Sequence, residues 1–300
     1  MEYIKDFLSS QDVLLPKPTD LQPSLPDKAD IKAIIFDIYG TLLISSSGDI
    51  DQAEITTTNL KRALLVSDID IVSGEVTEDI VLQEILNLFE RTIKAEHEAQ
   101  KARNIPFPEI DIMETWRQVI EEATDNKWLS LNGKSNLRQM TFLFELLSNK
   151  VFPMPGMREV ILELHRTKIP MGIISNAQFY TPILLNFYLV EEFKETELIH
   201  YFEPELTVFS YKHRIAKPDF SLFTQVVPKL KENYHISPEE VLFVGNDMFK
   251  DIYPAAKTGF KTALFAGDQR SLRLREEKEE VADLKPDYVI TDLRQLLNLG

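Results

Sequence analysis

Cysteine is absent from the 300 residues. Its absence excludes disulfides, thiolate metal ligands and a cysteine nucleophile, and fits a reducing compartment. Basic residues are in deficit: 33 Lys and Arg against 48 Asp and Glu give a formal charge of −15. Nucleic-acid and anionic-membrane binding rest on clustered Lys and Arg, so neither partner is expected. No apolar run is long enough to span a bilayer, and Met1–Asp6 lacks the basic start and apolar core of a signal peptide. The expectation is a cytoplasmic protein. None of the five His residues stands in a His-Glu-x-x-His spacing, and there is no Gly-x-Ser-x-Gly elbow or Walker loop. No internal repeat or low-complexity block interrupts the chain.

What is present reads as globular: 44% hydrophobic and 27% charged residues supply ample core. The length suggests two domains. Residues 1–30 carry Pro16, Pro18, Pro23 and Pro26, a spacing that favours an extended arm, with Tyr3–Leu8 as one or two amphipathic turns before it. Ala33–Phe36 is a short continuous apolar run of the kind that forms a strand buried on both faces, and it ends in Asp37 and a turn at Gly40-Thr41. Ile44–Asp49 reads as a loop. From about Asp51 to Lys150 the apolar residues recur at helical spacing, for instance Ile85, Leu88-Phe89 and Ile93, or Met113, Trp116 and Ile120, as expected of helix core. Thr77 is a plausible helix start and Asn104–Pro108 a break. Four or five helices without strands are expected there.

Beyond Pro155-Gly156 strands and helices alternate. Met171–Ile174, Leu206–Phe209, Val241–Val244, Thr262–Phe265 and Tyr288–Ile290 read as strands, and Met157–Lys168 and Phe220–Lys231 as helices. This pattern predicts an α/β fold, a Rossmann-like parallel sheet with right-handed crossovers. The expected domains are an N-terminal extension at 1–30, a sheet domain from 31–44 and 152–300, and an inserted helical domain at 45–151. A substrate site between the two domains would be natural.

Polar groups stand after four of the apolar runs: Asp37 with Tyr39-Gly40-Thr41; Ser175-Asn176; Lys217-Pro218; and Gly245-Asn246-Asp247 followed by Asp251. Singly, each has an ordinary reading as a cap, a turn or a surface lysine. Together they make a phosphate-transfer site. An ionised Asp37 is a candidate nucleophile that would form an aspartyl-phosphate. Ser175 and Asn176 would donate to phosphoryl oxygens, and Lys217 would neutralise nucleophile and phosphate. Asp247, with Asp251 in support, would bring oxygen ligands suited to Mg²⁺. A cation would also resolve how so acidic a protein takes an anionic substrate.

On these residues the chain resembles the haloacid dehalogenase-like hydrolase superfamily. The nucleophile motif of that family, Asp-x-x-Gly-Thr, matches Asp37-Ile38-Tyr39-Gly40-Thr41, and its hydroxyl, lysine and acidic motifs match Ser175, Lys217, and Asp247 with Asp251. The resemblance implies that the helical insertion is a C1-type cap that closes over the site and helps to select substrate. It also implies Mg²⁺ held by Asp37, the main-chain carbonyl of Tyr39 and Asp247, with Tyr39, Gly40, Thr41, Ser175, Asn176 and Lys217 binding substrate. The implied activity is hydrolysis of a small phosphorylated or otherwise anionic metabolite by a monomer or homodimer.

Tyr39 departs from the pattern, because most phosphatases of the family carry there a second Asp that acts as general acid. A Tyr at this position resembles the 2-haloacid dehalogenases, whose Asp displaces halide from carbon without a metal. Three carboxylates in one cleft decide for a cation: each close pair at ~4 Å costs about 4 kcal/mol at an effective dielectric near 20, and Lys217 offsets only part of that. The reading is therefore a Mg²⁺-dependent phosphatase. A dehalogenase that forms an aspartyl ester is the first alternative, and a non-catalytic binding or regulatory protein the second.

Overall fold

The computed structural model describes residues 2–11, 13–26, 30–45, 55–74, 76–191, 193, 196 and 199–299. Among them run the strands β1 Ala33–Phe36, β2 Leu43–Ser45, β3 Ile69–Ile71, β4 Leu129–Leu131, β5 Val151–Pro153, β6 Met171–Ser175, β7 Thr207–Phe209, β8 Val241–Gly245, β9 Lys261–Phe265 and β10 Tyr288–Ile290. Six of them form one sheet in the order β10-β9-β8-β1-β6-β7. Every pairing in it is parallel. This is the α/β architecture that the sequence predicts. All carboxyl ends therefore lie along one edge. The chain fills the sheet outward from β1 through β6 to β7, then returns to the other side of β1 with β8, β9 and β10. The reversal opens a crevice at the carboxyl end of β1, the usual ligand position in such sheets.

By internal contacts the chain divides into a unit of residues 1–12 and 51–150 and a unit of residues 13–50 and 151–300. The first is helical, with helices Thr57–Val66, Glu78–Ala102, Ile112–Asp125 and Leu137–Ser148. Trp116 is fully buried, stacked on Phe89 with ring centroids 4.4 Å apart and edge-on to Phe144 at 4.8 Å. The aromatic stripe is thus core, as its spacing suggested. A short antiparallel pair, β3 with β4, also lies here and escaped the sequence reading. Three residues are too few to display a period of two. The start of the chain is a helix, Glu2–Ser9, about two turns long and so close to the turn or two expected. Its buried Ile4 and Leu8 stand four apart on one face, and Arg62 lies over the rings of Tyr3 and Phe7.

The second unit departs from expectation in two places. Ile44 and Ser45 belong to β2, paired antiparallel with β5, rather than to a loop; residues 46–49 of that expected loop fall outside the described residues. The helix expected over Phe220–Lys231 is broken into turns at Ser221–Thr224 and Val227–Lys229 and a wider turn at Leu230–Tyr234. Pro228 has no N–H to offer the carbonyl one turn back, so a continuous helix cannot form.

Candidate active site

Asp37 follows directly on β1 and is 6% exposed. Its N–H donates to the Val244 carbonyl at 2.9 Å, which prolongs the β1–β8 pairing by one residue and fixes the carboxylate at the crevice. The chain then turns on the Ile38 carbonyl, which accepts from the N–H groups of Thr41, Leu42 and Leu43. Gly40 is required in this turn twice over. It has φ of +84°, and a Cβ would stand 2.5 Å from the Asn246 amide nitrogen. That Asn246 side chain accepts from Thr41 Oγ1 at 3.2 Å and donates to the Ser271 carbonyl at 2.6 Å. It ties the β1 turn to the loop after β9.

Lys217 is 4% exposed and reaches the crevice from the loop after β7. Its ammonium donates to Asp37 Oδ1 at 2.7 Å and to Asp251 Oδ1 at 2.5 Å. Its main-chain N–H donates to Asn176 Oδ1 at 2.7 Å, so the end of β6 aims this lysine. The Lys217–Pro218 bond is cis. Asp251 Oδ2 accepts from the N–H groups of Asn246 and Asp247, both at 3.0 Å. A Cβ on residue 245 would lie 2.5 Å from that Asp, which explains the glycine at the end of β8. Burial pushes the Asp251 carboxyl up to about 7, with Lys217 pulling it down and Asp37 and Asp247 adding to the rise. Burial pulls Lys217 down, but the Asp251 and Asp37 carboxylates outweigh it and hold the ammonium above its ordinary range. Every hydrogen bond that Asp251 makes among the described residues comes from an N–H donor, which favours its ionised form against the burial and the neighbouring carboxylates.

Asp247 is held differently. Its Oδ1 accepts from the N–H groups of Phe249 and Lys250, each at 2.9 Å, and its Oδ2 from Arg275 Nε at 3.0 Å and Nη2 at 2.7 Å. Arg275 is a cation that the sequence reading missed. It weakens the electrostatic case for a metal made above, since Lys217 and Arg275 together compensate most of the three carboxylates. Of the six oxygens of Asp37, Asp247 and Asp251, only Asp37 Oδ2 has no hydrogen-bond partner among the described residues.

The pocket is lined by Asp37, Tyr39, Gly40, Asn176, Lys217, Asp247 and Asp251, together with Ser45, Asn246, Lys250, Ser271, Arg273 and Arg275. All are residues of the sheet unit. Four cations against three carboxylates make this a cationic spot in an acidic chain. Two expected substrate ligands do not line it: Thr41 is 0% exposed and bonded to Asn246, and Ser175 is 1% exposed with its hydroxyl toward the Asn176 carbonyl at 3.4 Å. The Tyr39 hydroxyl lies 2.9 Å from Thr181 Oγ1, which in turn accepts from the Gln178 N–H. Ser271, Arg273 and Arg275 stand after β9, outside the four strand ends whose polar residues the sequence singles out. The same rule applied to β9 would have led into Arg270-Ser271-Leu272-Arg273-Leu274-Arg275.

The donor chemistry suits a hard cation in part. Carboxylate and carbonyl oxygens at Asp37, Tyr39 and Asp247 are ligands of the kind Mg²⁺ takes, and no imidazole or thiolate lines the pocket. No group of three or more acidic or His side chains is gathered for a metal among the described residues. Arg275 donates twice to one oxygen of Asp247, so a metal ion held by this carboxylate would compete with the guanidinium.

A charged crevice at the switch point of a parallel sheet and a buried Asp–Lys–Asp group define the site of this α/β domain. Residues 31–259 match the family model of the haloacid dehalogenase-like hydrolases, and the chain belongs to that family. It is similar to the glyceraldehyde 3-phosphate phosphatase of Pyrococcus furiosus, 32% identical over 146 residues. That match covers 48% of this chain and 53% of the relative, so the chain spans about half the length of the relative it matches. Its fold is similar to that of a 2-haloacid dehalogenase of Pseudomonas syringae, with 18% identity over 90% of this chain and 97% of the other and a TM-score of 0.54. A hydrolase of Bacillus subtilis solved bound to magnesium aligns over 90% of this chain and 99% of the other, with 17% identity and a TM-score of 0.46. No helix among the described residues is long and apolar enough to cross a membrane.

Proposed function

We propose that this hydrolase is a phosphatase of small phosphorylated metabolites and that Asp37 is its nucleophile. The observation that carries the reading is the asymmetry of Asp37: Lys217 holds Oδ1 at 2.7 Å, while Oδ2 has no partner among the described residues. One oxygen is oriented and the other is available in a pocket with Lys217, Lys250, Arg273 and Arg275. Asp37 Oδ2 attacks phosphorus, the bond from phosphorus to the leaving oxygen breaks, and water then cleaves the aspartyl-phosphate to return the carboxylate. Lys217 stays protonated throughout, held by Asp251 and aimed by Asn176. We propose Mg²⁺ as cofactor, held by Asp37, the Tyr39 carbonyl and Asp247 once Arg275 has left; bound there it would screen the approach of two anions. The helical insertion, expected at 45–151 and bounded at 51–150 by its internal contacts, is proposed as the substrate-selecting cap, and the protein as cytoplasmic.

No carboxylic acid stands at position 39 to protonate the leaving group, and the Tyr39 hydroxyl is engaged with Thr181. Aryl or acyl phosphates, whose leaving groups need little protonation, are therefore the favoured substrates. The test is release of p-nitrophenol from p-nitrophenyl phosphate with Mg²⁺. Activity lost with EDTA and in Asp37→Asn supports the reading; full activity in Asp37→Asn overturns it. A second reading, haloacid dehalogenase, is favoured by the compensation of Asp247 by Arg275 and by Tyr39 itself. Halide release from 2-chloropropionate without added metal would select it.

A further inference from the structure

We propose that the N-terminal arm is a strap that positions the arginine-bearing loop after β9 and thereby sets the anion affinity of the Asp37 pocket, an inference that rests on the phosphatase reading. The arm runs extended beside that loop. The Lys17 N–H donates to Asp268 Oδ1 at 2.7 Å, the Lys17 carbonyl accepts from the Gln269 N–H at 2.8 Å, and Thr19 Oγ1 donates to the Ala266 carbonyl at 2.8 Å. Arg270 Nη2 donates to the Leu15 carbonyl at 2.6 Å while its Nε faces Asp268 at 3.1 Å. Ser24 exchanges both main-chain hydrogen bonds with Val289 of β10. Little apolar burial holds the arm at its start, where Val13 is 74% and Leu15 70% exposed. Leu21 packs on the cluster of Ile252 and Leu264 and Ser24 pairs with β10, whereas the contacts of Leu15, Lys17 and Thr19 are polar and converge on the loop.

Asp268 shows why the two segments depend on each other. Its side chain is 0% exposed, and a buried carboxylate is stable only when donors surround it. Its side-chain donors come from the arm at Lys17 and from Arg270, which is itself tied to the arm at Leu15. Its carbonyl accepts from the N–H groups of Ser271 and Leu272 and shapes the turn that follows. Beyond that turn the loop is stitched to the end of β8. Arg273 N–H donates to the Asn246 carbonyl at 3.0 Å, Met248 N–H to the Arg273 carbonyl at 2.9 Å, and Asn246 Nδ2 to the Ser271 carbonyl. Arg275, with φ of 55°, is held in a left-handed conformation that a non-glycine residue adopts only when its surroundings impose it. The strap fixes one side of the loop, β8 the other, and Arg273 and Arg275 face the pocket between.

Lys17→Pro removes one N–H without touching a pocket residue, and Thr19→Val removes one hydroxyl; Asp268→Asn tests the hub. Their KM for p-nitrophenyl phosphate and the inhibition constant of inorganic phosphate are measured with kcat, in the wild-type and Arg275→Gln backgrounds. The strap variants are expected to raise KM and the phosphate constant about three- to tenfold, the worth of one hydrogen bond, with kcat changed less than about twofold. In the Arg275→Gln background the same changes should add little. A fall in melting temperature with unchanged phosphate affinity, or effects that add fully to Arg275→Gln, overturns the proposal. Amide exchange at Gln269, Arg273 and Met248, measured without ligand, decides separately. A wild type that neither hydrolyses p-nitrophenyl phosphate nor binds phosphate counts against the phosphatase reading, whereas unchanged exchange in the strap variants counts against the strap.

Discussion

Replacing Lys217 with Met removes the one side chain among the described residues that is hydrogen-bonded to both Asp37 and Asp251. The ammonium lies 2.7 Å from one carboxylate and 2.5 Å from the other. The two acidic oxygens are therefore no more than about 5 Å apart, and without the lysine they repel by about 3 kcal/mol at an effective dielectric near 20. Both side chains are at least nine-tenths buried, so neither can escape to water. Removing one partner of such a group typically costs about 3–5 kcal/mol, because a charge is left buried and unpaired. For a domain of this size that is a fall of roughly 6–20 °C in melting temperature. The sign of the pH dependence follows. In the variant one carboxyl keeps a proton to a higher pH than in the unfolded chain, so its stability rises as pH falls and the deficit narrows from pH 8 to pH 5. Thermal and urea melts at both pH values measure this. A second change, Asp251→Asn, should return much of the loss by removing the second charge. If Lys217→Met melts with the wild type at pH 8, or if Asp251→Asn in its background restores nothing, the assignment of a buried Asp–Lys–Asp group is wrong.

Arg275→Gln frees Asp247 Oδ2 from a paired guanidinium, so Mg²⁺ should raise the melting temperature at lower concentration than in the wild type; an unchanged titration would mean that the two cations do not compete for this carboxylate. Tyr39→Asp should speed hydrolysis of alkyl phosphates more than that of aryl phosphates, by up to ~10²-fold if the new carboxyl acts as general acid, and an unaltered ratio of the two rates would refute that role. Glu240 is held down at about 2 by the Lys32 ammonium and by the Ser237 N–H and hydroxyl. Its folded value is depressed, so its contribution is present above pH 4.5 and lost as pH falls toward 2. The difference in melting temperature between wild type and Glu240→Gln should shrink across that window.

The residues of β1, β6 and β8 left little choice about the sheet. Continuous apolar runs with helical patterns between them can be satisfied only by a parallel sheet covered on both faces, and the break in pattern between Asp51 and Lys150 marks the helical unit. The same runs placed Asp37, Asn176 and Asp247 at strand ends, because a strand that stops in a polar turn stops at the sheet edge. Pairing within that edge was not legible. Lys217 stands eight residues beyond β7 and Arg275 ten beyond β9, and nothing in the local sequence says how far a loop reaches. Only the order of the strands puts the end of β9 beside the end of β8, where Arg275 meets Asp247 and turns an expected metal ligand into half of a salt bridge. The prolines of the arm likewise fixed its extended form, since they restrict φ and remove donors. Its role as a strap depends on Asp268, 251 positions from Lys17, whose buried carboxylate needs the arm's N–H for a partner.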